Sequence, residues 1–227
     1  MSKGPISIIT TSDGSHSLYN SELKETYHST HGALTESLYV FIKEGIEWLV
    51  AKGEAKIDIL EIGFGTGLNA LLVWDFALRH PNLNIHFETL EPFPLSEELY
   101  QYLNYLETFK TEVSSDGFQH MHSLDWGVSH QLAANFTFIK HKISLQLFQS
   151  NTRFNLVFYD AFAPSKQSEM WDISSLACIY DVMAPKGVLV TYCAQGQFKR
   201  NLAELGMEVE TLKGPPGKKE MVRGTMK

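Results

Sequence analysis

The chain has 227 residues, 44% of them hydrophobic, and a formal net charge of −7. That is enough apolar material to fill one α/β core without a second domain. The acidic balance excludes indiscriminate nucleic-acid binding, which depends on phosphate neutralisation.

No apolar run approaches the roughly 18 residues of a membrane span, and the start Met1-Ser2-Lys3-Gly4-Pro5 lacks a signal-peptide core, so a soluble, cytoplasmic protein with no membrane partner is expected. Cys178 and Cys193 form neither a C-x-x-C pair nor a zinc framework and read as buried thiols. His28-x-x-His31 and His120-x-His122 lack the Cys or carboxylate partners of a closed site, so no metal is expected. Charge is uneven: Met183 to Lys227 holds eight Lys/Arg against four Glu. A confined basic face on an acidic protein suits a docked RNA.

In chain order, alternation around Ser12-Asp13-Gly14-Ser15 predicts a hairpin, 6–11 with 17–19. Apolar residues at helical spacing predict a helix over 34–52, ended by Gly53. Strand 57–62, helix 67–80, strand 84–90 and helix 94–108 then follow the βαβ rhythm of a parallel sheet. Residues 111–135 read as an insertion with one short helix. Strands at 136–141, 143–148 and 154–159, a helix at 172–184, a strand at 187–192, a helix at 196–205 and strands at 208–212 and 220–226 complete the pattern. The expected fold is a doubly wound, Rossmann-like α/β core over 53–227, mainly parallel with an antiparallel last strand. An N-terminal hairpin and helix extension over 1–52 precedes it in the same domain.

The strand Ile57-Asp58-Ile59-Leu60-Glu61-Ile62 runs into Gly63-Phe64-Gly65-Thr66-Gly67-Leu68-Asn69. Three alternate glycines let the chain turn sharply at the carboxyl end of a parallel strand and bring peptide N–H groups close to a ligand. A dinucleotide fingerprint would need glycine at position 68, where Leu68 stands. This spacing, with an acid two residues before the first glycine, resembles the first motif of class I S-adenosylmethionine-dependent methyltransferases. Asn69 opens the following helix. Glu91, after the second core strand, can accept both ribose hydroxyls.

The apolar strand 154–159 delivers Asp160 to the same edge, followed by Ala161, Phe162, Ala163, Pro164, Ser165 and Lys166. Phe162 and Trp171 offer aromatic faces for a base or the adenine. Thr191-Tyr192-Cys193-Ala194, after the next strand, is placed in the same cleft. Lys166, Lys199, Arg200, Lys218, Lys219 and Arg223 are candidate phosphate contacts, some presented by the Gly214-Pro215-Pro216-Gly217 loop.

Five blocks in order, Tyr27-His28-Ser29, Gly32 to Ser37, Leu60 to Asn69, Asp160 to Lys166 with Met170-Trp171, and Gly217 to Met221, resemble the MnmC-type methyltransferases, called MnmD when they stand alone. The resemblance spans nearly the whole chain. It implies S-adenosylmethionine as cofactor, tRNA as partner, and methylation of the amine of 5-aminomethyl-(2-thio)uridine at the wobble position. Bifunctional members add a flavin-dependent oxidase domain; this chain is expected to hold neither that domain nor flavin. The resemblance adds Tyr27 beside the amine and Glu36 among the cofactor residues, with Glu61, Gly63, Phe64, Gly65, Gly67, Asn69, Glu91, Asp160, Ala161 and Phe162. Asp160 is expected to aim the amine's lone pair and stabilise charge developing on nitrogen. Near the adenine, where many methyltransferases carry an acid, this chain offers Ser144 and Gln146. Two other readings use the same residues: an aminopropyltransferase of the spermidine synthase type, and a non-catalytic S-adenosylmethionine-binding module.

Overall fold

A computed structural model describes residues 5–227. The chain opens with a small antiparallel sheet, β1 (Ile6–Thr10), β2 (His16–Asn20) and β3 (Glu25–Thr26). The β1–β2 hairpin is the one expected from the Asp13-Gly14 turn; β3 is too short to leave a periodic signal. Three helical segments follow in direct succession: α1 (Ala33–Ser37), a π-wound stretch (Leu38–Glu47) and α2 (Trp48–Ala51). This stretch lies flat on the central sheet because Gly45 has no side chain: a Cβ there would meet Phe158 at 3.3 Å and Val190 at 3.4 Å.

The eight-stranded sheet has the order β10-β11-β9-β8-β4-β5-β7-β6. Its parallel centre is β4 (Lys56–Ile62), β5 (Asn84–Leu90), β7 (Phe136–His141), β8 (Phe154–Tyr159) and β9 (Met183–Thr191). The last strand, β11 (Glu220–Thr225), runs antiparallel between β9 and β10 (Glu208–Lys213). At the opposite edge, β6 (Ser129–Ala133) is antiparallel to β7. This is the class I S-adenosylmethionine-dependent methyltransferase fold.

Alternation along β8 sends Leu156 and Phe158 into one apolar cluster and Val157 and Tyr159 into the other. α3 (Leu68–Arg79) and the helical run 33–51 cover the first face, and α7 (Ile173–Val182) and α8 (Gly196–Glu204) cover the second. Each fully buried aliphatic or aromatic side chain contributes about 1.5–3 kcal/mol.

Three expected elements differ. The helix expected over 94–108 is two single turns, α4 (Glu97–Tyr100) and α5 (Tyr105–Thr108). Asn104 breaks it because its side chain is committed elsewhere, accepting from the His16 N–H at 2.7 Å and donating to the Gly14 carbonyl at 3.0 Å. The strand expected at 143–148 is instead a 3₁₀ turn, Leu145–Leu147. That segment must carry the chain from β7 back across the sheet to β8, so no strand is beside it to pair with. The insertion over 111–135 holds the expected short helix, α6 (Gly117–Ser123), and also β6, whose polar Ser-His-Gln sequence befits an edge strand.

Candidate active site

The chain builds β4, then β5 and β7 outward on one side, and returns to place β8 on the other side of β4. That reversal opens a crevice at the carboxyl ends of β4 and β8, where open α/β sheets bind ligands. A cavity of about 810 Å³ occupies it.

Its floor is the glycine loop. Gly63, Gly65 and Gly67 all have positive φ, +94°, +50° and +76°. A Cβ on Gly63 would lie 3.0 Å from the Asp160 carbonyl, and one on Gly67 would lie 2.7 Å from His122 Nε2. Only glycine lets the loop take this path with the β8 loop and α6 so close. Glu91 ties the loop to β5: its carboxylate accepts from the Gly65 N–H at 3.0 Å and the Phe93 N–H at 2.9 Å. Both carboxylate oxygens keep lone pairs for further donors.

Asp160 stands at the end of β8, and its Oδ2 accepts from Asn69 Nδ2 at 2.8 Å. Burial, reinforced by the Glu36 carboxylate, pushes its carboxyl up to about 7 against the opposing pull of Asn69 and Lys218. The Asn69 Oδ1 is buried without a partner. Tyr27 and Phe162 meet edge to face, ring centres 4.9 Å apart, and both line the cavity. Burial and the Glu91 charge push the Tyr27 phenol up to about 12, so it is a hydrogen-bond donor at neutral pH and not a base.

The structure brings Tyr27, Glu36, Gly63, Phe64, Gly65, Asn69, Glu91, Asp160, Ala161, Phe162 and Lys166 to one cavity, together with Ser144 and Gln146. Tyr192 joins them, while Cys193 is buried beside it off the wall. Phe64 contributes mainly backbone, since its ring is buried against His122, Trp126 and Phe138. Glu61 does not reach the wall; it is fully buried beneath the loop, accepting from Thr89 Oγ1 at 2.6 Å. Burial raises its carboxyl well above the usual range.

Trp171 is no aromatic platform. Its indole is buried in the second apolar cluster and its Nε1 donates to the Phe162 carbonyl at 2.7 Å, so it supports the Phe162 loop from behind. Arg223 is also unavailable to phosphate: it is buried over the Trp48 ring and paired with Glu210 at 2.9 Å and Glu44 at 3.4 Å. Lys199 lies 3.6 Å from Glu220, outside the cavity wall, and Arg200 and Lys219 are exposed. Lys218 turns inward, 2.6 Å from Glu36 and 3.6 Å above the Tyr192 ring centre. Cys178 is partly exposed, not buried.

Sequence reasoning missed most of the wall supplied by the N-terminal segment, including Asn20, Leu23, Glu25 and His31, and it missed His28. These short polar stretches carry no periodicity, and only the tertiary fold places them over the β4 and β8 loops. Burial, and then the Lys218 charge, hold His28 neutral, down to about 4.

Residues 118–227 match a family model described as an S-adenosyl-L-methionine-dependent methyltransferase. Over 214 residues, 88% of the chain, the sequence is 30% identical to the tRNA 5-methylaminomethyl-2-thiouridine biosynthesis bifunctional protein MnmC of Idiomarina loihiensis. Over most of its length the chain is thus similar to an MnmC protein. It spans about a third of the length of that MnmC relative, 35%. Among solved structures, MnmC2 from Aquifex aeolicus superposes with a TM-score of 0.79 at 24% identity, covering 100% of this chain and 72% of that one. The spermidine synthase of Thermotoga maritima shares the fold more distantly, with a TM-score of 0.55 at 11% identity, covering 97% of this chain and 68% of its own. No helix among the described residues is long and apolar enough to cross a membrane.

Proposed function

We propose that this protein methylates the amine of 5-aminomethyl-(2-thio)uridine at the wobble position of tRNA, giving 5-methylaminomethyl-(2-thio)uridine, with S-adenosyl-L-methionine as methyl donor. The observation that carries this reading is the shared cavity. Asp160 and the Tyr27–Phe162 aromatic wall face the same space as the glycine loop and Glu91.

The residues present fit the cofactor. Glu91 is placed to accept from ribose hydroxyls, and the partnerless Asn69 Oδ1 to accept from an ammonium group. The glycine loop leaves room for the amino-acid end, and Leu90, Ile143 and Ser144 offer apolar and hydroxyl contacts to a purine. When bound, the cofactor supplies an electrophilic methyl group.

The protein's own work is to bind, orient and stabilise. Tyr27 and Phe162 hold the flat uracil ring. Asp160, fixed by Asn69, accepts an N–H bond from the amine, aims its lone pair and stabilises the positive charge that forms on nitrogen. Ala161 and the loop to Lys166 close one side of the cavity. Lys166 at the cavity, with Lys199, Arg200 and Lys219 outside it, contacts RNA phosphates. Residues 1–52 and 53–227 act as one methyltransferase domain, the first supplying a wall and the second the core.

Nucleoside mass spectrometry on tRNA carrying aminomethyluridine, incubated with protein and S-adenosyl-L-methionine, tests the reading. A gain of one methyl on the wobble nucleoside, lost in Asp160→Ala while cofactor still binds, is the expected result. Methylation or aminopropylation of polyamines run in parallel, with the nucleoside unchanged, would replace it with a small-amine reaction.

A further inference from the structure

Lys218 was expected to reach phosphate, yet it is built into the cavity. Its loop joins β10 to β11 and is pinned at Gly217, where φ is +86° and a Cβ would overlap the His31 ring. The ammonium is 2.6 Å from Glu36 Oε2 and 3.6 Å above the Tyr192 ring centre. Tyr192 in turn donates its hydroxyl to the Ala161 carbonyl at 2.7 Å, next to Asp160. Glu36 is 5% exposed, and its other oxygen accepts from the Ser29 N–H at 3.2 Å. A buried carboxylate is thus matched to a cation held by three segments distant in sequence.

An amine entering this space meets two carboxylates, Asp160 and Glu36, that favour its ammonium form. The ammonium has no lone pair to attack with. With an intrinsic value near that of lysine, roughly 10, the amine is already mostly protonated at neutral pH.

We propose that Lys218 is a positioning residue that raises the free-base fraction of the acceptor amine, because its ammonium cancels Glu36, which otherwise adds to the field of Asp160. The proton is released to solvent before attack, and no side chain needs to retain it. The inference rests on the aminomethyl nucleoside being the acceptor. The other groups facing Lys218 add little charge of their own. Burial keeps Tyr192 and Cys193 protonated at neutral pH and His28 neutral. His31 packs on Gly217, and Lys199 and Glu220 beside the loop face each other at 3.6 Å. Glu25, whose charge also bears on Tyr192, lines the wall with Glu91, Glu169 and Lys166, a background common to all the variants.

The pH profile of kcat, which reports groups in the enzyme–substrate complex, tests this in wild type, Lys218→Met, Glu36→Gln and the double variant. The acid limb moves up by about one pH unit in Lys218→Met, down in Glu36→Gln, and returns near wild type in the double variant. Lys218→Arg keeps the limb in place. A second readout needs no turnover: the chemical shift of a ¹³C-labelled aminomethyl carbon, in an anticodon-loop RNA bound with S-adenosylhomocysteine, titrates in the same direction in each variant. A slower Lys218→Met enzyme with an unmoved limb and an unmoved titration overturns the proposal and leaves Lys218 structural. A wild-type protein that does not methylate the nucleoside at all sinks the functional reading as well, which separates the two failures.

Discussion

Asp160 shows how one buried carboxylate links stability to function. Burial, then Glu36, raise its carboxyl to about 7 from an ordinary 3.8, so the folded protein holds that proton where the unfolded chain has lost it. The associated stability is full below pH 3.8 and disappears as pH rises through about 7. Asp160→Asn is therefore expected to abolish methyl transfer yet melt above wild type at pH 8, with the gap narrowing toward pH 4. Thermal unfolding at both pH values checks this, and a pH-independent gap would show that the charge on Asp160 is not strained. Glu91 is the complementary case, since its carboxylate satisfies two backbone N–H groups of the loops that frame the cavity. Glu91→Ala leaves both unpaired and removes the ribose acceptor. A 10- to 100-fold loss of S-adenosyl-L-methionine affinity by calorimetry is expected, or about 1.4–2.8 kcal/mol. Unchanged affinity would place the ribose elsewhere.

The elements around the glycine loop hold its shape. Behind it, His122 is buried on α6, stacked on Tyr100 at 4.2 Å, with its Nε2 3.1 Å from the Thr66 carbonyl. Burial holds this imidazole neutral, down to about 3, so Nε2 serves as the donor to that carbonyl. Beneath lies Lys140, fully buried on β7, its ammonium bonded to the His122 carbonyl and 4.7 Å from the Trp126 ring centre. α6 is thus both a brace for the loop and the reason Gly67 cannot carry a side chain. Gly67→Ala combines a left-handed residue, roughly 1–2 kcal/mol, with a contact on His122 that forces the brace outward. Its melting temperature should fall by about 2–8 °C and cofactor affinity with it. A variant that binds cofactor as tightly as wild type would mean the loop is not the binding element.

At the scale of the whole molecule, an acidic protein with a basic segment from Met183 to Lys227 divides its cations between structure and surface. Arg223 and Lys218 are committed to internal carboxylates, leaving Lys166, Lys199, Arg200 and Lys219 as candidates for the RNA backbone. Each phosphate contact contributes about −0.7 to −0.9 to the slope of log affinity against log salt. An anticodon stem-loop followed by fluorescence anisotropy should give a slope no steeper than about −3.6. A markedly steeper slope would show that cations elsewhere on the chain face the RNA.

The strands β4, β5, β8, β10 and β11, the glycine turn and the positions of Glu91 and Asp160 were legible in the sequence, because each depends on a local pattern. An apolar run makes a buried strand, glycine makes a turn with positive φ, and the residue after a parallel strand lies at the ligand edge. What each side chain touches could not be read this way. Arg223 reaches Glu44 across 179 residues of sequence, and Asn69 meets Asp160 across 91. Trp171 looked like a platform and Lys218 like a phosphate anchor because residue type reports chemistry and not direction. The fold turned one into the core and the other onto Glu36. The edge strand β6 and the turn at Leu145–Leu147 were decided the same way, since pairing depends on which neighbour the completed sheet provides.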